Sequence, residues 1–591
     1  MTEPLPKLSE LVGADNEPAP EQLSFFARFE QPSVSENNVV RRSAEFDRIA
    51  ALPRRKVNVG DPVPVDADLA LARVMTGLLR TKQGSMELRP IQARALHEAQ
   101  ANNGAFCPIG VGMGKTLFGL LLPTVLDSRR AVYLTNPGLV AQVNRDMERF
   151  AKHWDIRCNN IEVVSYSFMS TKNGLGALEH LQPDLIYADE AHALRHATAT
   201  RTKRVMRYLN EHPECRFVAA SGTITSKSIR DYAHLCGRAL RQGAPVPLTW
   251  SALDEWARAL DVDPGFKQSR NKPGALLDFC APGEEPRDGY RRRLVETPGV
   301  VATTESALGT GLEIRALAPR FQVCKDLVAK CTSEGAWEGV DLDPLAEARV
   351  VRQLALGFHY KWDWPNGVID QEWLEARNAW NRAVRRYMLF TNTPGLDSPM
   401  LIAAAADRNE APIIVRKALD SWRDVEERPE PPVVPVWHND LELVHCVLEW
   451  WEQCKKDKTN IVWYEHQAVG DLLADELDGL LIRPEKGRDP ADLKGHNLLL
   501  SIKQHGTGRN LQAWNRNLVL TPPSSGAMWE QLIGRTHRPG QASDTVTFDV
   551  LQHVGPYRSA LETARGDARY IESSTGLVQK LGLATFVDFE Q

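Results

Sequence analysis

Few features of this chain point to secretion, to a structural metal or to a membrane. Its 591 residues include nine cysteines, at positions 107, 158, 215, 236, 280, 324, 331, 446 and 454. They form no CxxC pair and have no histidine at zinc-binding spacing, which excludes the common zinc and dithiol motifs. A scattered, odd set suits buried thiols in a reducing compartment, so a cytoplasmic protein is expected, with a nuclear one left open. No apolar run approaches the roughly 18 residues of a membrane span, and no membrane partner is expected. The opening MTEPLPKLSELVGADNEPAPEQ has neither the basic start nor the apolar core of a secretory signal. Excess positive charge is missing too: the net charge is −5, so the field of the whole molecule does not draw in polynucleotide. Any nucleic-acid contact has to come from a local basic lining or from backbone amides.

What is present is an ordinary globular balance, 43% hydrophobic and 25% charged, over a length that calls for about three domains. Residues 1–85 read as an extension whose first part, rich in Pro, Glu and Ser, is expected to be disordered. From 86 to 235, AFCPI (105–109), AVYLT (131–135), EVVSY (162–166), DLIYA (184–188) and RFVAA (216–220) read as buried strands between helical stretches such as 137–150. Strands apolar on both faces and separated by helices predict a parallel α/β sheet. A second alternation over 437–555 holds a helix at 441–454 and strands NIVWY (460–464), NLLLSI (497–502), NLVLT (517–521) and TVTFDV (545–550). Between the two, 236–436 reads as a mostly helical insertion ending in EERPEPPVVPV (426–436), an extended Pro-rich linker, and 556–591 as a tail. Six tryptophans of the insertion, Trp337, Trp362, Trp364, Trp373, Trp380 and Trp422, are either a stacking platform for bases or the core of a helical module. The run Tyr290-Arg291-Arg292-Arg293 is either a phosphate contact or a solvated turn.

AFCPI runs into GVGMGKT (110–116) and then into the apolar LFGLLL. Gly110, Gly112 and Gly114 let the backbone curl until successive N–H groups face an anion. Lys115 then reaches the phosphates of a nucleotide and the Thr116 hydroxyl reaches Mg²⁺, with the positive end of the next helix behind them. The bland reading is a glycine-rich turn between strand and helix. Downstream, DLIYADEAH (184–192) ends in two carboxylates. Asp189 is placed to hold Mg²⁺ through its water shell and Glu190 to orient and deprotonate a water. Taken alone, such a pair is a solvated strand end; beside the phosphate loop it is the second half of one site. His192 is placed to couple it to SGT (221–223). In GAMWEQLIGRTHRPGQ (526–541), read as a helix broken by Pro539, Arg535 and Arg538 share one face. They are either a solvent face or a pair of arginine fingers that complete the site when two lobes close.

In combination and order these motifs resemble the superfamily 2 helicase-like ATPases with a DEAH box, and among them the Swi/Snf-type translocases on double-stranded DNA. LRPIQ (88–92) is similar to the family's adenine-reading motif, GVGMGKT to motif I, TNPGLVAQ (135–142) to motif Ia and SGT to motif III. NIVWYEHQ (460–467) resembles motif IV, HGTGRNLQ (505–512) motif V and QLIGRTHRPGQ (531–541) motif VI. HRPGQ, the segment 192–205 and VRQLALGFHY (351–360) are closest to the Swi/Snf-type group. The resemblance implies two RecA-like lobes, ATP and Mg²⁺ as ligands, Gln92 and Gln531 at the nucleotide, and catalysis by Lys115, Glu190, Arg535 and Arg538. It implies a duplex DNA track held by Thr135, Asn136 and Ser165 in the first lobe and Thr507 and Thr521 in the second. Two departures stand out. Ile109 replaces the first glycine of the strict phosphate-loop pattern, as helicase-type loops tolerate, and Arg509 stands where motif V usually has an acidic or small residue. A strand-separating RNA or DNA helicase, or a remodeller of a protein partner bound through 236–436, are the alternatives.

Overall fold

Short runs apolar on both faces need cover above and below. The computed structural model, which describes residues 39–55, 66–225, 227–261, 271–302, 310–390, 396–454, 459–485, 488–506 and 508–589, meets that need with an α/β fold built on two parallel sheets. The first holds β1 (Gly104–Cys107), β2 (Ala131–Thr135), β3 (Ile161–Ser165), β4 (Leu185–Asp189) and β5 (Arg216–Ala220), in the order β1-β5-β4-β2-β3. Strands β1, β2 and β4 are buried at every residue, whereas the edge strand β3 turns Glu162 to solvent. Helices cover both faces and leave two apolar clusters, one around Leu96, Leu120 and Leu122 and one around Ile186, Tyr208 and Trp256.

The later strands are β6 (Gly311–Leu317), the short pair β7 (Ala336–Trp337) and β8 (Val340–Asp341), β9 (Phe358–Trp362), β10 (Val433–Trp437), β11 (Asn460–Tyr464), β12 (Leu498–Ser501), β13 (Arg516–Val519), β14 (Thr545–Leu551) and β15 (Thr585–Val587). Six of them form the second parallel sheet, ordered β12-β11-β13-β14-β6-β15. Its interior tolerates the Asn517 amide because both ends of that amide find partners. Asn517 accepts from the Trp463 indole at 3.0 Å and donates to the Thr547 carbonyl at 3.2 Å.

The lobe boundaries differ from those expected. Residues 1–38 and 56–65 lie outside the described residues, but the rest of the expected extension belongs to the first lobe. Phe46, on the helix Ala44–Ala51, stacks on Phe279 at 4.9 Å. The expected insertion divides three ways. Trp256, Leu260, Tyr290 and Leu294 join the first lobe's core. Strand β6 enters the second sheet, where its alternating GLEIRAL buries Leu312 and Ile314, and Phe321, Leu354 and Phe358 join that lobe's core. The helices Gln371–Phe390, Pro399–Asp407 and Ile413–Arg423 make a small module with its own core around Trp380, Ile402 and Leu419. The Pro-rich stretch does not end as a free linker: β10 pairs antiparallel with β9, with Pro435 at an edge position. The expected tail supplies the helix Gly555–Thr575 and strand β15. Trp362, Trp364, Trp373 and Trp422 meet edge to face at 5.4–5.9 Å, which is core packing. Tyr290 and Arg293 are buried, and Arg293 donates to the carbonyls of Ile49 and Leu52 instead of facing phosphate. Among the described residues no helix is long and apolar enough to cross a membrane.

The helical module is latched to the first lobe by one buried pair. On the helix Thr200–Glu211, Arg204 holds both Asp397 carboxylate oxygens at 3.1 Å, and both side chains are buried. Asp397→Ala is expected to leave that guanidinium buried and unpaired, costing on the order of 3 kcal/mol. Denaturant unfolding checks this; a midpoint equal to that of the unaltered protein would refute it.

Candidate functional site

The first-lobe candidates sit at the carboxyl ends of parallel strands, where α/β sheets leave a crevice. The chain leaves β1 and curls through Gly112 and Gly114 at φ of 85° and 83°, a region that side chains disfavour. At Gly114 a Cβ would also strike the Gln92 amide. Lys115 opens the next helix and folds back over the loop. Its Nζ lies 3.2 Å from the carbonyl oxygens of Ile109 and Gly110 and 3.6 Å from Glu190 Oε1. Gln92 uses both ends of its amide, accepting from the Arg89 N–H and donating to the Gly114 carbonyl, each at 2.9 Å.

Asp189 ends β4 within a cage of tyrosines. Its Oδ2 accepts the Tyr133 hydroxyl at 2.7 Å, and its main-chain carbonyl accepts the Tyr166 hydroxyl at 2.7 Å. Thr116 lies close to the Tyr133 hydroxyl. The next residue, Glu190, takes φ of 53°, and this left-handed turn directs its carboxylate toward Lys115. Such a conformation persists where its surroundings over-determine it. Here His192 Nδ1 lies 3.3 Å from Glu190 Oε2 and 3.0 Å from Ser221 Oγ. The two carboxyls are driven apart electrostatically. Burial, with the Glu190 charge beside it, pushes Asp189 up. Against the upward push of burial, Lys115, His192 and Arg535 hold Glu190 well below the usual carboxylate range. Glu190 is therefore ionised at neutral pH.

The second lobe completes the site. The helix Gly526–Thr536 packs flush on the glycine-rich loop because Gly534 has no side chain; a Cβ there would meet Val111 Cγ1 at 2.7 Å. Gln531 Nε2 reaches to 3.3 Å from His192 Nε2, so His192 links the acidic box, the SGT turn and this helix. Arg538 lies beyond the end of the helix, so the two arginines do not share a helical face as their spacing predicts. They converge by another route, their Nη1 atoms lying 3.3 and 3.2 Å from one oxygen, the Arg509 carbonyl. Burial and Arg538 pull Arg535 down to about 10, which leaves it charged at neutral pH. Together the lobes enclose a cleft of ≈ 340 Å³ lined by Lys115, Thr116, Asp189 and Glu190 on one side and by Gln531, Arg535 and Arg538 on the other.

Among the described residues no group of three or more His, Cys, Asp and Glu is arranged around a metal. Mg²⁺ asks for less, one or two carboxylates completed by phosphate and water, and Asp189 beside Thr116 fits that demand. The expected track residues separate. Asn136 and Ser165 are half-buried at strand ends, and the Ser165 hydroxyl accepts the Phe168 N–H at 3.1 Å. Thr135 and Thr521 are fully buried, so neither hydroxyl faces a polymer here, because strand ends that look exposed in sequence are covered by the loops that follow them. Thr507 lies outside the described residues. Sequence reasoning missed Tyr133 and Tyr166, although a tyrosine in a buried strand must find a partner for its hydroxyl. It also missed Arg89, which donates to the Gly112 carbonyl at 2.8 Å. Comparison with protein-family models and with curated proteins finds no match to this chain.

The close approach at Gly534 gives a test. Gly534→Val is expected to overpack the contact with Val111 and to destabilise by about 1–3 kcal/mol. Gly566→Ala, in the helix Gly555–Thr575 where a Cβ meets nothing within 4 Å, is expected to stabilise by about 0.5–1 kcal/mol. Denaturant midpoints of the two variants check both signs; movement in the same direction would refute the packing argument.

Proposed function

We propose that the protein is a Mg²⁺-dependent ATPase of the helicase-like kind, with two RecA-like lobes that close on ATP and step along duplex DNA. The observation that carries this reading is the meeting, in one cleft, of Lys115, Asp189 and Glu190 from the first lobe with Arg535 and Arg538 from the second. Phosphoryl transfer asks a protein for positioned charge more than for covalent chemistry, and this is a cleft of positioned charge. The loop amides and Lys115 hold the β- and γ-phosphates, Lys115 as a point charge. Asp189 and Thr116 hold Mg²⁺, which when bound neutralises phosphate oxygens. Ionised Glu190 orients a water and takes its proton on a carboxylate oxygen, and His192 with Ser221 keeps that carboxylate in place. Arg535 and Arg538 leave the Arg509 carbonyl for the phosphoryl oxygens as charge develops there. Gln92 fixes the loop by its bond to Gly114 and lies at the cleft's edge, where a base is read.

The choice of duplex DNA rests on the resemblance of HRPGQ and of 192–205 to the Swi/Snf-type group. Binding through backbone amides and small hydroxyls is sequence-tolerant and salt-sensitive. Lys115→Ala is expected to abolish hydrolysis, and Glu190→Gln to bind ATP while turning over about 10²–10⁴-fold more slowly. Arg535→Ala is expected to lower kcat far more than it weakens binding, because its contact strengthens in the transition state. Phosphate release measured with duplex DNA, single-stranded DNA and RNA in parallel tests the track, with displacement of the third strand of a DNA triplex as the sign of translocation. Near-normal turnover by folded Lys115→Ala would overturn the ATPase reading. Stronger activation by RNA, or unwinding of a simple fork, would replace the translocase with a strand-separating helicase.

A further inference from the structure

Arg509 is the residue of the second-lobe motifs that the resemblance leaves without a role, and the structure surrounds it with specific contacts. Its carbonyl oxygen receives both Arg535 Nη1 and Arg538 Nη1. Its side chain turns the other way, Nη1 lying 3.3 Å from Asp489 Oδ2. The same carboxylate oxygen lies 3.8 Å from Nη2 of Arg145, on the first-lobe helix Val140–Ala151. The preceding residue, Gly508, takes φ of 73° and abuts Leu139 at the start of that helix so closely that a Cβ would overlap it. Two residues further on, the Leu511 N–H donates to the Arg535 carbonyl at 3.0 Å. One short stretch of chain therefore touches the first lobe on one side and carries both arginines on the other.

We propose that Asp489 and Arg509 are positioning residues that pin this loop, and that the reach of Asp489 to Arg145 makes the pin depend on closure of the lobes. The inference rests on the ATPase reading and deepens it. Parking the two guanidiniums on a neutral carbonyl gathers them without binding them strongly, since a charged acceptor is the better partner. Incoming phosphoryl oxygens therefore win them easily. Arg145 is largely exposed, 61%, and a pair so exposed does not hold two lobes together by itself. It reports their approach. When the lobes part, Asp489 loses one cation, the Arg509 side chain loses part of its anchor's order, and the arginines lose their common seat.

The test uses the full chain and measures kcat, KM for ATP, binding of a fluorescent ADP analogue and thermal melting. Asp489→Asn keeps the Oδ1 acceptor for the Ala491 N–H, at 3.1 Å, and turns the oxygen facing Arg509 into an NH2 group, so that both the charge and that acceptor are lost; Arg509→Ala removes the tether from the other end. Each is expected to lower kcat about 10-fold with KM and ADP binding within about 2-fold, because the lost interaction acts in the transition state. Arg509→Lys, which keeps the charge, is expected to recover most of the rate. Arg145→Glu, at an exposed site, is expected to slow turnover at low salt, with the deficit shrinking as salt screens the new repulsion. Unchanged kcat in Arg509→Ala, a KM rising in step with the fall in kcat, or no recovery by Arg509→Lys would overturn the proposal. An unaltered protein that does not hydrolyse ATP would overturn the ATPase reading instead, and this inference with it.

Discussion

Lys115, Asp189, Glu190 and Arg535 are all withdrawn from water in one cleft. Removing a charge from water is costly unless an opposite charge replaces the lost hydration. Within the first lobe alone, Lys115 faces two carboxylates and leaves one in excess. Arg535, from the second lobe, balances it, and it is one of the groups that keep Glu190 ionised. Charge balance in the cleft thus depends on the second lobe lying beside the first. The rest of the architecture brings those four groups to the lining of one cleft.

Closure also depends on shape. The bare α-carbon of Gly534 lets the arginine-bearing helix lie against Val111, and the C-terminal residues fasten it there from behind. Asp567 accepts the Gly526 N–H at 3.2 Å, at the start of that helix. Tyr570 donates to Asp261 of the first lobe at 3.0 Å and lies 5.0 Å from the Arg287 guanidinium. The Gln579 side chain approaches the Gly222 carbonyl of the SGT turn at 3.4 Å. Residues after 555 therefore belong to both lobes.

Local chemistry makes the strands and the charged motifs legible in the sequence itself. A buried parallel strand needs apolar residues on both faces, so β2, β5 and β11 have the bounds that their apolar runs predict. The glycines and charges around Lys115 and Asp189 carry their meaning in their order. Long-range pairing leaves no such trace. The alternation of β6 is that of any half-buried strand, and nothing in GLEIRAL names β14 as its neighbour. Strand β15 is three residues long, too short to show a period. The spacing of the two arginines predicts one helical face, but that periodicity ends where the helix does, at Thr536. Asp489 stands outside every motif and shows its importance only once Arg145 and Arg509 are seen on either side of it.

The order of the second sheet sets a timetable for its synthesis. Strand β6 pairs with β14, Gly311 opposite Thr545, and neither strand is covered on that edge until the later one exists. The first sheet uses strands that lie close together in the chain, so it can be finished while translation continues. At about 5–20 residues per second, β6 waits on the order of ten seconds or more for its partner. Through that interval a half-apolar strand with unpaired amides is displayed on a nascent chain, a template for mispairing. Production of this protein is therefore expected to respond to translation speed and to chaperones that shield strand edges, more than to the stability of the finished fold.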